Sequence, residues 1–135
     1  MAEKIHNPTE KNEHMAMIGE ALIEARLYEE AEKTLSTVKQ SDSPKTFYLM
    51  GHNLFNLRKY EEAIAAFEKA SKYFFMENNL EMAGLCYIEE GKCYIKLNKL
   101  KQSLEAFKTA LTTFEDINIT SIRKGKLKSV QFSVI

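Results

Sequence analysis

The chain has 135 residues, is 44% apolar, and carries 19 acidic and 19 basic residues for a formal charge of zero. That length fits one domain with a modest core, and five glycines and two prolines are too few for a turn-rich all-β, collagen-like or disordered chain. No run of eighteen apolar residues marks a membrane span, and the polar opening "MAEKIHNPTEKNEH" differs from a basic, apolar leader, so a cytoplasmic, mostly helical protein is expected.

In chain order, residues 1–8 read as an N-terminal tail. Residues 9–41 hold an apolar-periodic helix that ends at the polar break Ala25-Arg26, then a second amphipathic helix opening on "YEEA". The next unit, 44–79, begins at Pro44, whose fixed φ suits a first helical position, with capping oxygens in "SDSP". Its text "YLMGHNLFNLRKYEEAIAAFEKA" breaks at Arg58-Lys59. The third unit, 80–116, breaks at Asn98-Lys99. The spacing into it is longer than before, and "SKYFFMENNLEMAGLC" has no breaker except Asn78-Asn79, which predicts two prolonged helices with their turn at the asparagines.

The three units share a register. Gly19, Gly51 and Gly91 align, as do Tyr28, Tyr60 and Leu100, then Ala31, Ala63 and Ser103, then Leu35, Phe67 and Phe107, then Val38, Ala70 and Ala110. The repeat steps by 32 residues and then by 40. A glycine inside a helix costs about 1 kcal/mol relative to alanine. Gly51 is expected to let its helix approach the next one closely at Ala63, a cost outweighed by burying Phe67 at the seam for about 1.5–3 kcal/mol.

Glycine, a small residue twelve positions on, an aromatic four further and another small residue three after that together resemble the tetratricopeptide repeat. The match runs over roughly residues 9–116 and is strongest in the middle unit. Met15, Leu35 and Val38 depart from the pattern in the first unit, and Glu90 and Ser103, where leucine and alanine are usual, depart from it in the third. The resemblance implies an all-α fold, an α-α superhelix of three tandem hairpins with a C-terminal capping segment. The lengthened third repeat loosely resembles those of bacterial peptide-responsive regulators and some eukaryotic polarity adaptors.

The resemblance also implies that the first helix of each hairpin lines a concave groove. Its candidate residues are Met17, Glu20, Ile23 and Glu24, then Tyr48, Leu49, His52, Phe55 and Asn56, then Ile88, Glu89, Lys92 and Ile95. Relatives that clamp the acidic C-terminus of a chaperone place lysine, asparagine and arginine in the groove. Here the matching positions hold Ala16, Glu20, Leu49, Leu85 and Glu89, so that partner is not expected. The expected partner is a protein or peptide with an apolar segment, anchored by tyrosine and phenylalanine. Three roles fit such a groove: an adaptor or scaffold, a small dedicated chaperone resembling those of type III secretion substrates, and a peptide sensor.

Residues 117–135 carry Arg123, Lys124, Lys126 and Lys128 and no acid, which opposes an acidic body. A capping helix would cover the last apolar face of the stack, whereas the alternation in "VQFSVI" argues for a strand. Four charges without interleaved aromatics do not make a nucleic-acid site. No phosphate loop, HExxH, CxxC or GxSxG occurs, and His6, His14 and His52 are scattered, so no metal, cofactor or catalysis is expected. Cys86 and Cys93 lie about 10 Å apart along one helix, too far for a disulfide, and read as small buried hydrophobes. The glutamates read as exposed. Met15, Met17 and Ile18 stand on a terminal face, which makes a homodimer possible.

Overall fold

In the computed structural model the described backbone covers residues 8–38 and 43–123, with side chains placed over 10–38 and 43–117. Among these residues there are six α-helices and no strand: α1 (Pro8–Glu24), α2 (Tyr28–Ser36), α3 (Pro44–Asn56), α4 (Tyr60–Met76), α5 (Leu80–Lys96) and α6 (Leu100–Arg123). Consecutive helices pair in hairpins, and the hairpins stack into the expected α-α superhelix.

Four of the connections are one turn used repeatedly. Arg26, Arg58, Asn78 and Asn98 have φ between 60° and 64°. At each, that residue's N–H bonds the carbonyl three positions back and the next N–H bonds the one five back, as in Arg58 to Phe55 at 3.0 Å and Lys59 to Leu54 at 2.8 Å. This is the Schellman closure, which satisfies the last carbonyls of a helix through a left-handed residue. The turn between α4 and α5 therefore falls at the asparagines, and both flanking helices are long, at 17 residues each. Pro44 takes the first helical position behind Ser43.

The core gathers on α4. Ala63, Ala66, Phe67 and Ile64 pack with Leu54 of α3 and Cys93 of α5, and Ala70 and Phe74 pack with Ala83 and Cys86 of α5. The glycines of the shared register each receive a side chain sixteen residues on. A Cβ added at Gly51 would stand 2.6 Å from the Phe67 ring, one at Gly19 2.5 Å from Leu35, and one at Gly91 2.4 Å from Phe107. The close approach thus seats the seam side chain, with Phe67 and Ala63 buried together in the same cluster. A fourth notch, Gly84 against Phe114, has no counterpart in the shorter repeats, because only this hairpin is long enough to need a second one.

Cys86 and Cys93 are fully buried, and burial pushes both thiols up to about 12, so neither forms a nucleophilic thiolate near neutral pH. Glu90 is a departure from the expected exposed glutamates. It is only 6% exposed, because its helix position faces α4 where a leucine is usual. At the C-terminal end, α6 continues without a break past Asp116 to Arg123, while "VQFSVI" lies outside the described residues.

Candidate functional site

Helices α1, α3 and α5 are the first members of the three hairpins, and polar contacts join their faces on one side. Lys45 Nζ of α3 lies 3.4 Å from Glu20 Oε1 of α1. From α5, Glu89 acts electrostatically on both Tyr48 and His52 of α3 and pairs with Lys92 at 3.4 Å.

The centre of this face is aromatic. Tyr48 meets His52 edge-on with ring centroids 4.6 Å apart, and meets Phe67 at 5.8 Å and Phe74 at 6.4 Å. His52 in turn stands perpendicular to Phe67 at 5.4 Å. Edge-to-face contacts of this kind hold both rings of α3 in fixed orientation over the seam side chain. Burial lowers the His52 pKa, with Lys92 adding to the effect and Glu89 opposing it. The imidazole is therefore neutral at pH 7 and offers a donor and an acceptor rather than a charge. Burial, and then Glu89, raises the Tyr48 pKa, so its phenol stays protonated.

Around this centre the candidate residues divide by burial. Met17, Glu24, Asn56, Lys92 and Ile95 are exposed. Glu20, Tyr48, His52, Ile88 and Glu89 are half-buried and reachable. Ile23 packs on the cluster of Ala16, Leu35 and Leu49, and Phe55 packs into the core edge-on to Tyr60 at 5.3 Å. Leu49, at 8% exposure, is core and is withdrawn from the candidate groove, because α3 turns that position toward the first hairpin. The Asn56 amide donates to the carbonyl of His52 at 3.0 Å, a local bond within its own helix. The face is consequently a polar-aromatic strip with apolar side chains at its ends.

Among the described residues no group of three His, Cys, Asp or Glu side chains is gathered that would hold a metal ion. No described helix is long and apolar enough to cross a membrane.

Residues 1–70 match the family model described as "Anaphase-promoting complex, cyclosome, subunit 3", and residues 81–116 match the model "Tetratricopeptide repeat". No curated protein matches the sequence. Among solved structures, the chain is similar to the N-terminal domain of stress-induced protein-1 (STI-1) from C. elegans. The identity is 16%, the alignment covers 88% of this chain and 96% of that one, and the TM-score is 0.75. MamA aligns at 17% identity over 83% of this chain and 82% of its own, with a TM-score of 0.43.

Proposed function

The chain belongs to the tetratricopeptide-repeat family, typically a non-catalytic protein-protein interaction module, and we propose that it holds an apolar segment of a partner protein against the inner face of α1, α3 and α5. The observation that carries this reading is the pairing of two acids on that face. Glu20 is met by Lys45 and Glu89 by Lys92, which leaves Tyr48 and His52 as the central contact and Met17 and Ile95 as exposed apolar ends. A partner with aliphatic or aromatic side chains gains by covering these ends, at about 25 cal/mol per Å² of apolar surface removed from water. An acidic terminus would find carboxylates at Glu20 and Glu89 instead of free bases. The match of residues 1–70 to a model of an assembly subunit favours an adaptor or scaffold over a dedicated chaperone or a peptide sensor.

The test selects peptides on the full chain by display and then compares wild type with the doubly substituted Met17→Glu/Ile95→Glu. Both side chains are exposed, so the melting temperature should hold while affinity for the selected peptides falls by roughly tenfold or more. Undiminished binding, or peptide-induced NMR shifts confined to α2, α4 and α6, would overturn the reading.

A further inference from the structure

The outermost of the described helices, α1 and α6, carry side chains that mirror an interface inside the stack. Within the molecule α4 is covered by α5. There Tyr87 lies against Ser71 and Phe75, Glu90 lies near Glu68, and Tyr94 packs on the cluster that contains Ile64. Moving α4 forward by the 40-residue repeat step places Leu104 at the position of Ile64, Lys108 at that of Glu68, Leu111 at that of Ser71 and Glu115 at that of Phe75. Ile64 and Ser71 are buried, whereas Leu104 and Leu111 are 55% and 59% exposed, with Leu100 also bare beside them. Moving α5 back to α1 by the combined step places Met15 at the position of Tyr87, Ile18 at that of Glu90 and Leu22 at that of Tyr94. Ile18 is 50% exposed.

Two substitutions in this mirror decide its meaning. The internal joint holds Ser71 and the buried Glu90, and the corresponding end positions hold Leu111 and Ile18. At these two positions the ends are more apolar than the joint they copy, with Glu115 in place of Phe75 the one exchange in the other direction, whereas an outer face turned to water is ordinarily polar. We propose that α6 of one molecule stacks on α1 of a second copy, continuing the superhelix from chain to chain. In that register Leu111 meets Met15, Leu104 meets Leu22, and the stem of Lys108 lies over Ile18. Glu115 comes to the first turns of α1, where Lys11 is exposed and provides the opposite charge. The contact is head-to-tail and does not close on itself, so association proceeds beyond a dimer.

Sedimentation of the full chain between about 10 and 500 µM should show a mass that rises with concentration and does not stop at twice the monomer, as a small interface of this kind implies. Ile18→Glu and Leu104→Glu/Leu111→Glu should each stay monomeric with unchanged helical circular dichroism. An equimolar mixture of the two should form a dimer that grows no further, because one retains a working α6 and the other a working α1. Leu111→Ser, which installs the residue of the internal joint, serves if the double variant does not fold, and it should weaken association. A wild type that stays monomeric throughout, as when residues of the same chain cover α6, would overturn the proposal. So would an Ile18→Glu chain that still dimerises through α6 alone, or a variant mixture that stays monomeric.

Discussion

At the scale of single residues, the least expected feature is a carboxyl group inside a helical stack. Burial, and secondarily Glu68, pushes the Glu90 carboxyl up to about 8, and its Oε2 has no hydrogen-bond partner among the described protein groups. In the unfolded chain the same group ionises near 4.5. Between those values the unfolded state has released a proton that the folded state retains, so stability falls as pH rises, by up to about 1.4 kcal/mol per pH unit, and levels off above the folded value. Replacing the group with the residue usual at that position, Glu90→Leu, should therefore raise the urea midpoint at about pH 8.5 by far more than at about pH 5. His52 acts in the opposite direction, since its lowered pKa costs stability as pH falls below the unfolded value, but it is the same in both proteins and cancels in the comparison. Equal gains at both pH values would show that Glu90 is ionised in the fold. The glycine notch gives a second residue-scale prediction. Gly51→Ala recovers about 1 kcal/mol of helix propensity, but its Cβ would stand 2.6 Å from the ring of Phe67, which is fully buried. Overpacking of that kind costs about 1–3 kcal/mol, so denaturant unfolding should show a net loss of about 1 kcal/mol; a stabilised variant would mean that the Phe67 ring yields freely.

At the scale of the helix and its turn, one closure recurs with two residue types. Arginine at positions 26 and 58 and asparagine at 78 and 98 all take positive φ, a conformation that costs most L-residues roughly 1 kcal/mol and asparagine less. Arg58→Gly should therefore stabilise the chain by about 0.5–1 kcal/mol and Asn98→Gly by less. The order of the two in thermal melts checks the argument; a larger gain at Asn98 would contradict it. These turns also show what was legible in the sequence. Polar breaks and a shared register of glycine, alanine and aromatic positions mark where helices stop and which sides meet, because both follow from local propensity and spacing. The burial of Leu49 and Glu90 was not legible, since it depends on how far one hairpin rotates over the next, a quantity that no spacing within a single helix encodes. The resemblance placed Leu49 in the groove by its repeat position, and residue type made Glu90 look solvated. The one available signal was Glu90's occupation of a position where leucine is usual, which marks an interior site holding the wrong chemistry for it.

At the scale of the whole molecule, the three hairpins are not bound to one another equally. The joint between α4 and α5 is closed by two clusters, which hold Ile64, Phe67 and Cys93 at one end and Ala70, Phe74, Ala83 and Cys86 at the other. The joint between the first and second hairpins is slighter, because α2 has only nine residues. It includes Leu35 and Leu49 with Ala16, the ion pairs of Lys59 with Glu32 at 3.0 Å and of Lys45 with Glu20 at 3.4 Å, and a part-buried hydrogen bond in which the Asn53 amide donates to the Tyr28 carbonyl at 2.9 Å. In a stack whose stability is a sum of repeats and their joints, the member with the weakest joint opens first. Native-state hydrogen exchange should accordingly find α1 and α2 opening at lower free energy than α3 to α6. Asn53→Ala removes the part-buried hydrogen bond across that joint, worth about 1 kcal/mol. It should lower protection in α2 by several-fold while leaving α5 and α6 nearly unchanged, because the lost bond ties α3 to the first residue of α2. Uniform loss of protection along the chain would instead mean that the three hairpins unfold as one unit, with the slight joint already strong enough to couple them.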